Sequence, residues 1–495
     1  MEYLIEQIAP LAGLLLVIAF VIGRLPRIEL GHSDAFRRRR IWNWLPLGLT
    51  YAFLYMGRYN LKVSQSAFEE LRDAAGHSLM SNADFSEIFG YGTVVYGIAF
   101  VINGPLTDRF GGKAAILVGA IGSLLANGAM AIVTMRVTAD PNSPIAQQMT
   151  FVFTILYALN MYFQSFGAVA IVKVNAPWFH VRERGVFGAI FGVLISLGVF
   201  FAFDGGKFVR ETFGLVWVFG VPAAILCLCV CVVFFSVKNT PGDAGHKDFD
   251  TADASSGDDG PRLPVVQIFK KMLTNPIILT IAMIEFCSGF LRQAIMQWYP
   301  TFAKQTDAIL HLRDGMVSNR WGVFLCAAGI LGGVLAGVIS DRVFQSRRGP
   351  VAAILYGALF LGSVLLYFTY DTSVVGWLVV AMSMCVIGVH GMLSGTASMD
   401  FGGKKNVGVA VGIIDGFVYA GTALMAVTYG ILLPDDADPV AAANPENWIA
   451  WPLAMIPMAV IGLVVAARLW NARPQQKSTP PMTNVGADAV DAKDT

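Results

Sequence analysis

The chain has 495 residues, of which 55% are hydrophobic and 14% charged, with a formal net charge of +1 and a mean hydropathy of +0.60. Soluble globular chains carry about 25% charged residues, so this composition excludes a soluble domain and places most of the chain in lipid, with room for about a dozen spans of ~20 residues each. The six cysteines all lie in apolar runs, and Cys227, Cys229 and Cys231 alternate around a helix, which excludes a disulfide framework or a shared metal face.

Residues 4–22 are apolar and are followed at once by Arg24, Arg27 and the run Arg37 to Arg40. A signal peptide carries its charge ahead of its apolar core, so residues 1–40 read as an extra N-terminal transmembrane helix with a basic cytoplasmic segment. Six spans follow at 42–63, 85–106, 114–135, 149–172, 185–203 and 215–237, giving an N-terminal six-helix bundle over 41–237. Residues 238–272, rich in Asp, Gly, Ser and Lys, read as a mobile cytoplasmic linker. Six more spans, at 277–302, 321–340, 351–370, 375–398, 407–433 and 448–469, form a C-terminal bundle over 273–470. A disordered cytoplasmic tail is expected at 471–495. With this topology most of the 35 Lys and Arg fall on the cytoplasmic side, which puts the N-terminus outside and the C-terminus in the cytoplasm of a multi-pass cell-membrane protein.

The two halves repeat. Asp108-Arg109 closes the second span of the first half and Asp341-Arg342 the corresponding span of the second. Arg58 and Arg292, each in the opening span of its half, are separated by the same spacing to within one residue. A duplicated six-span unit therefore brings both arginines to equivalent places, facing each other near the midplane. A guanidinium is charged at any physiological pH, and one at the bilayer centre costs roughly 2.5–3.5 kcal/mol on insertion scales. That cost is accepted where the arginine meets protein or water and an anion. Guanidinium forks match tetrahedral oxyanions, so a shared anionic ligand is one reading. The other is internal neutralisation, with Glu285, seven residues before Arg292 on the same face, holding it. Glu285 and Asp415 are intramembrane acids and hence candidates for coupling or charge pairing. His390 reads as an interhelical hydrogen-bond donor. Asp108, Arg109, Asp341 and Arg342 read as cytoplasmic gate residues.

The loop at 108–113, Asp-Arg-Phe-Gly-Gly-Lys, resembles the signature between the second and third helices of the major facilitator superfamily. The segments YMGRYN (55–60), FLRQAIMQWYPTF (290–302) and GKKNVGVAVGIIDGFVYAGT (403–422), with a weaker WFHVRERG (178–185), are similar to the organophosphate:inorganic phosphate antiporter family, which includes the glycerol-3-phosphate and hexose-6-phosphate transporters. The resemblance covers 42–469. It implies an all-α polytopic membrane protein, the major facilitator fold of two six-helix bundles, here with the extra first helix. It also implies phosphate gripped by Arg58 and Arg292, with Tyr51, Tyr55, Tyr96 and Tyr419 around the site. Tyr51, Tyr55 and Arg58 form one helical stripe, and tyrosine offers an apolar ring with a polar tip. The departures are Phe100 for a lysine, Pro177 for a histidine, Gln297 for an acid and Gly289 for a tyrosine, so phosphate recognition is kept better than any one ester.

The expectation is exchange of an organic phosphate ester, of glycerol phosphate, sugar phosphate or phosphoglycerate type, for inorganic phosphate by alternating access. The partners are then a small anionic substrate, inorganic phosphate and the bilayer, with no nucleic acid, and the chain acts as a monomer. No nucleotide loop, metalloprotease pair or nucleophile elbow occurs in a fitting context, so no enzyme, no metal and no cofactor are expected. The alternatives are a proton-coupled or facilitative carrier of another small anion and a non-transporting sugar-phosphate sensor acting through a partner.

Overall fold

A computed structural model of the chain describes residues 31–180, 183–251, 264–344, 347–435 and 438–471. The expected span at 4–22 and the tail beyond residue 471 lie outside the described residues, as do residues 252–263 of the expected linker. Long apolar segments must satisfy their backbone internally in lipid, and they do so as helices. In the first half these are α1 (Asp34–Glu70), α2 (Asn82–Phe110), α3 (Gly112–Ala139), α4 (Met149–Asn175), α5 (Arg184–Phe200) and α6 (Leu215–Ser236). In the second they are α7 (Pro276–Gln305), α8 (Trp321–Val338), α9 (Arg348–Thr369), α10 (Val375–His390), α11 (Ser398–Leu432) and α12 (Ala450–Arg468). Ten segments of the described residues are long and apolar enough to cross a membrane. The all-α polytopic fold expected from hydropathy is the one observed.

Helix ends follow local chemistry more than hydropathy. Ser81 opens α2 with a capping box, its hydroxyl and backbone amide both paired with Asp84. Gly111 (φ +87°) and Gly214 (φ +93°) make the sharp reversals into α3 and α6 in a conformation that disfavours other residues. Several helices outrun their apolar spans. α1 starts eight residues before its span and ends seven after it, because its polar ends still pack on the protein. Val265–Leu273, read as the end of a mobile linker, is a helix with Ile268 and Met272 buried beside Ile278 and Val409.

The two halves meet mainly where α2 lies along α11 and α5 along α8. Small residues permit this. A Cβ on Gly104 would stand 2.4 Å from the Gly408 carbonyl oxygen, so no side chain fits at that crossing. Three π-helical turns interrupt the bundle, at Phe201–Gly205, Ile339–Val343 and Gly391–Ala397. The first continues α5 and carries Asp204, and the last follows His390 at the end of α10.

Candidate anion-binding site

Arg58 is 1% exposed in the middle of α1, and each of its three guanidinium nitrogens bonds a neutral group. Its Nε donates to Gln164 Oε1 (3.0 Å, α4), its Nη1 to the Tyr419 hydroxyl (3.0 Å, α11) and its Nη2 to the Tyr96 hydroxyl (2.5 Å, α2). The Tyr55 and Tyr96 rings lie 4.4 and 4.8 Å from the guanidinium carbon, close enough for cation–π attraction. One turn back, Tyr51 packs edge-on against Tyr55. A polar brace holds this part of α1. Asn60 bonds Asn127, Asn127 bonds Asn160, and Asn160 in turn donates to the Gly57 carbonyl, while the Tyr157 hydroxyl donates to the Arg58 carbonyl.

Arg292, 5% exposed on α7, is prepared differently. Its Nε and Nη2 are buried and, among the described residues, have no hydrogen-bond partner. It lines a small cavity, about 10 Å³ and so of the order of one water. Tyr55 and Tyr59 of α1, Ser196 of α5 and Met296 of α7 share that wall. The cavity thus draws residues from both halves, and Arg292 faces the first half there. Gln293 reaches across to donate to the Tyr59 hydroxyl at 2.9 Å, and Gln297, whose Oε1 has no partner, donates to Gln293.

Among the described residues neither arginine has a carboxylate within 4.0 Å. Glu285 is fully buried, and its Oε2 pairs with His390 Nδ1 at 2.7 Å. The reading in which Glu285 neutralises Arg292 is therefore corrected. Seven residues of helix are about 10 Å, too long for the pair, whereas α10 places His390 directly against the acid. Asp415 accepts from Ser394 at 2.6 Å and stands one turn from Tyr419. Both acids bond within the second half, Glu285 to His390 and Asp415 to Ser394.

Two of the departures noted in the sequence, Phe100 and Gly289, have physical reasons. Phe100 stacks on Tyr419 (5.7 Å, 13°) and meets Tyr96 edge-on, fixing both hydroxyls toward Arg58. A Cβ at Gly289 would stand 1.9 Å from the Val418 carbonyl oxygen, so glycine is what lets α7 and α11 touch one residue before Tyr419.

Both ends of the cavity are shut by contacts between the halves. At one end Asp108 pairs with Lys173 at 2.6 Å and accepts from the Gly408 and Val409 amides, both at 3.2 Å. Arg109 is exposed, its guanidinium over the Phe110 ring, and the side chains of Asp341 and Arg342 lie outside the described residues. At the other end Lys304 pairs with Glu69 at 2.9 Å, and the Asp204 carboxylate accepts from the Gly322 and Val323 amides that begin α8. There the halves enclose a vestibule of about 720 Å³. Sequence reasoning missed Gln164, Tyr59, Lys173 and Asp204. The first two are uncharged residues in apolar helices and leave no trace in hydropathy.

The profile of the Major Facilitator Superfamily matches residues 47–426. The glycerol-3-phosphate transporter of Bacillus subtilis is 24% identical over 473 residues, covering 90% of this chain and 96% of that protein. The membrane sensor protein UhpC of Salmonella typhimurium is 24% identical over 78% of this chain and 84% of its own length. The phosphoglycerate transporter protein of the same organism is 22% identical, over 80% of this chain and 84% of its own.

Proposed function

The chain belongs to the Major Facilitator Superfamily, and we propose that this multi-pass membrane protein exchanges an organic phosphate ester for inorganic phosphate by alternating access. The observation that carries the reading is the pair of arginines, one with each guanidinium nitrogen bonded to a neutral acceptor and the other with two buried nitrogens that have no partner among the described residues and face a cavity. An unpartnered guanidinium edge in a dry site is costly unless a ligand completes it. A phosphate oxyanion supplies the missing acceptors and a compensating charge. The names of the relatives, which include transporters of glycerol 3-phosphate and phosphoglycerate, support the ester class.

In this cycle the phosphate group enters between the halves, takes the free edge of Arg292 and competes with Tyr419 and Tyr96 for Arg58. Bridging both arginines offsets their mutual repulsion, the halves rock, and the ligand leaves by the other end. A cavity of about 10 Å³ is too small for a phosphate group, so the halves are closed at this level. The Asp108 end is the cytoplasmic one and the Lys304 end the outer one, as the distribution of Lys and Arg requires. Both arginines come from one chain, so a monomer suffices.

The test is uptake of radiolabelled phosphate into proteoliposomes preloaded with phosphate, with glycerol 3-phosphate, hexose 6-phosphates and phosphoglycerates as outside competitors. Uptake that depends on internal phosphate is the expected result, and the best competitor names the ester. Two further readings have an observation each. The Glu285–His390 pair favours a proton-coupled carrier, which uptake driven by a pH gradient without internal phosphate would establish. The likeness to a sensor protein favours a receptor, which ligand binding without flux would establish.

A further inference from the structure

Lys62 lies on α1 one turn beyond Arg58 and is 7% exposed, a buried ammonium outside the cluster just described. Its Nζ donates to Gln65 Oε1 at 2.7 Å and to the Thr301 hydroxyl across the junction of the halves. The Phe85 and Trp298 rings stand 4.6 and 5.6 Å away. Among the described residues no carboxylate comes within 4.0 Å of it. Four of the five acids that line the same vestibule, all but Asp314, are engaged elsewhere. Glu69 and Glu70 hold Lys304, Asp204 caps α8, and Glu211 lies beside Lys207 and Arg210.

A buried ammonium held by neutral oxygens and ring faces is under-compensated, and an anion improves its surroundings more than it would those of a paired lysine. Lys62 and Thr301 both line the vestibule, and Arg292 does not. Thr301 is nine residues from Arg292 on α7, roughly 13 Å along the axis. The vestibule floor and the arginine level are therefore two separate depths. Lys62 has its Cα one turn from Arg58 and its ammonium at the floor, and so it joins them.

We propose that Lys62 is an anion relay: it takes the phosphate group of the incoming ligand at the vestibule floor, gives up its bond to Thr301 in doing so, and delivers the anion to Arg58 and Arg292. The inference rests on the transport reading and adds to it a second, outer phosphate site, taken by inorganic phosphate and phosphate monoesters alike. Because capture removes a bond between the halves, arrival of the ligand itself loosens the outer closure. Lysine suits this better than arginine at the final site, since a compact charge on a flexible stem binds phosphate without fixing its orientation.

The experiment is phosphate exchange by wild type, Lys62→Met and Lys62→Arg in proteoliposomes of sorted orientation, with KM measured separately from each side. Lys62→Met keeps length and loses charge. It should raise KM for phosphate offered on the vestibule side about tenfold and flatten its dependence on salt. KM from the opposite side should stay within twofold, and Lys62→Arg should recover most of the loss. A readout independent of flux is Trp298 fluorescence, taken as the difference between wild type and Trp298→Phe. Phosphate should change it in wild type at about tenfold lower concentration than in Lys62→Met. A wild-type KM in Lys62→Met, or equal rises on both sides, overturns the relay and leaves the transport reading standing. Wild-type protein that neither exchanges nor binds phosphate overturns both.

Discussion

Arg58 and Arg292 occupy corresponding places in the two halves, yet the protein finishes one and leaves the other open. Arg58 spends its donors on Gln164, Tyr96 and Tyr419 and sits between two tyrosine rings. Arg292 keeps Nε and Nη2 without acceptors. Hydrogen bonds to a charged group are worth about 1.5–3 kcal/mol each, so three of them make Arg58 a structural centre. A duplicated unit thus supplies one arginine that is held in position and another that waits. In the proposed cycle this difference would let a ligand close the site by ordering a single partner.

The largest effect expected is a split between function and stability. Arg292→Lys removes a two-pronged grip and leaves one point charge, a loss of about 3 kcal/mol or ~100-fold in exchange. Its melting temperature in detergent should stay within a few degrees of wild type, since the lost edge bonds nothing in the protein. Arg58→Lys should lose exchange to a similar extent and melt markedly lower, because a single ammonium cannot serve Gln164, Tyr96 and Tyr419 at once. Equal melting losses in the two variants would make Arg292 a structural residue and remove the contrast.

Next in size is Gly289→Ala. The new methyl meets the Val418 carbonyl oxygen at 1.9 Å, and a backbone atom cannot yield as a side chain would, so α11 must shift where it carries Tyr419. Exchange should fall by tens-fold. Adding Tyr419→Phe should then cost little more, since both changes act on one contact, and the double variant measures that non-additivity. A full additional loss would separate Gly289 from Arg58.

What could be read from the sequence was the outline of this contrast. A lone arginine in an apolar span is conspicuous, and two at one spacing are more so; apolar length marks the helices. Gln164 was invisible because an uncharged amide barely changes hydropathy. Glu285 was matched to Arg292 because a single helix offers only its own face for comparison. Its partner, His390, lies 105 residues on and becomes a neighbour only when α7 and α10 pack. Gly289 looked like a lost tyrosine, and only the touch of two backbones shows it to be a requirement. Charges can be found in a sequence, and the neutral groups that finish them are found in packing.

Gln164→Leu tests that last point at about tenfold. It deletes one neutral acceptor from Arg58, worth about 1.5 kcal/mol, and leaves the other two. Exchange and melting temperature should fall together, both less than in Arg58→Lys. Gln164→Glu should do the opposite to the two observables. A carboxylate beside Arg58 raises the melting temperature and weakens phosphate binding, because the site then carries its own anion. A Gln164→Glu protein that binds phosphate as wild type does would show that Arg58 does not meet the ligand.

The smallest effect expected concerns the two closures, which differ as the two arginines do. Asp108 holds Lys173 and two backbone amides of the opposite half from a largely buried position. Lys304 meets Glu69 and Glu70 at the vestibule edge, where its side chain is 22% exposed and Glu70 is 68% exposed. A partly solvated ion pair is worth about 0–1 kcal/mol, so Lys304→Met should shift the balance toward opening at that end by less than about fivefold. The labelling rate of Ala67→Cys on the vestibule wall, above that of the native cysteines, reads that shift. Asp108→Asn keeps the shape of its side chain but weakens three contacts at once and should open its own end by more. If Lys304→Met proves the stronger of the two, the vestibule closure is the main one. The closed state would then depend chiefly on the end where Lys62 receives the ligand.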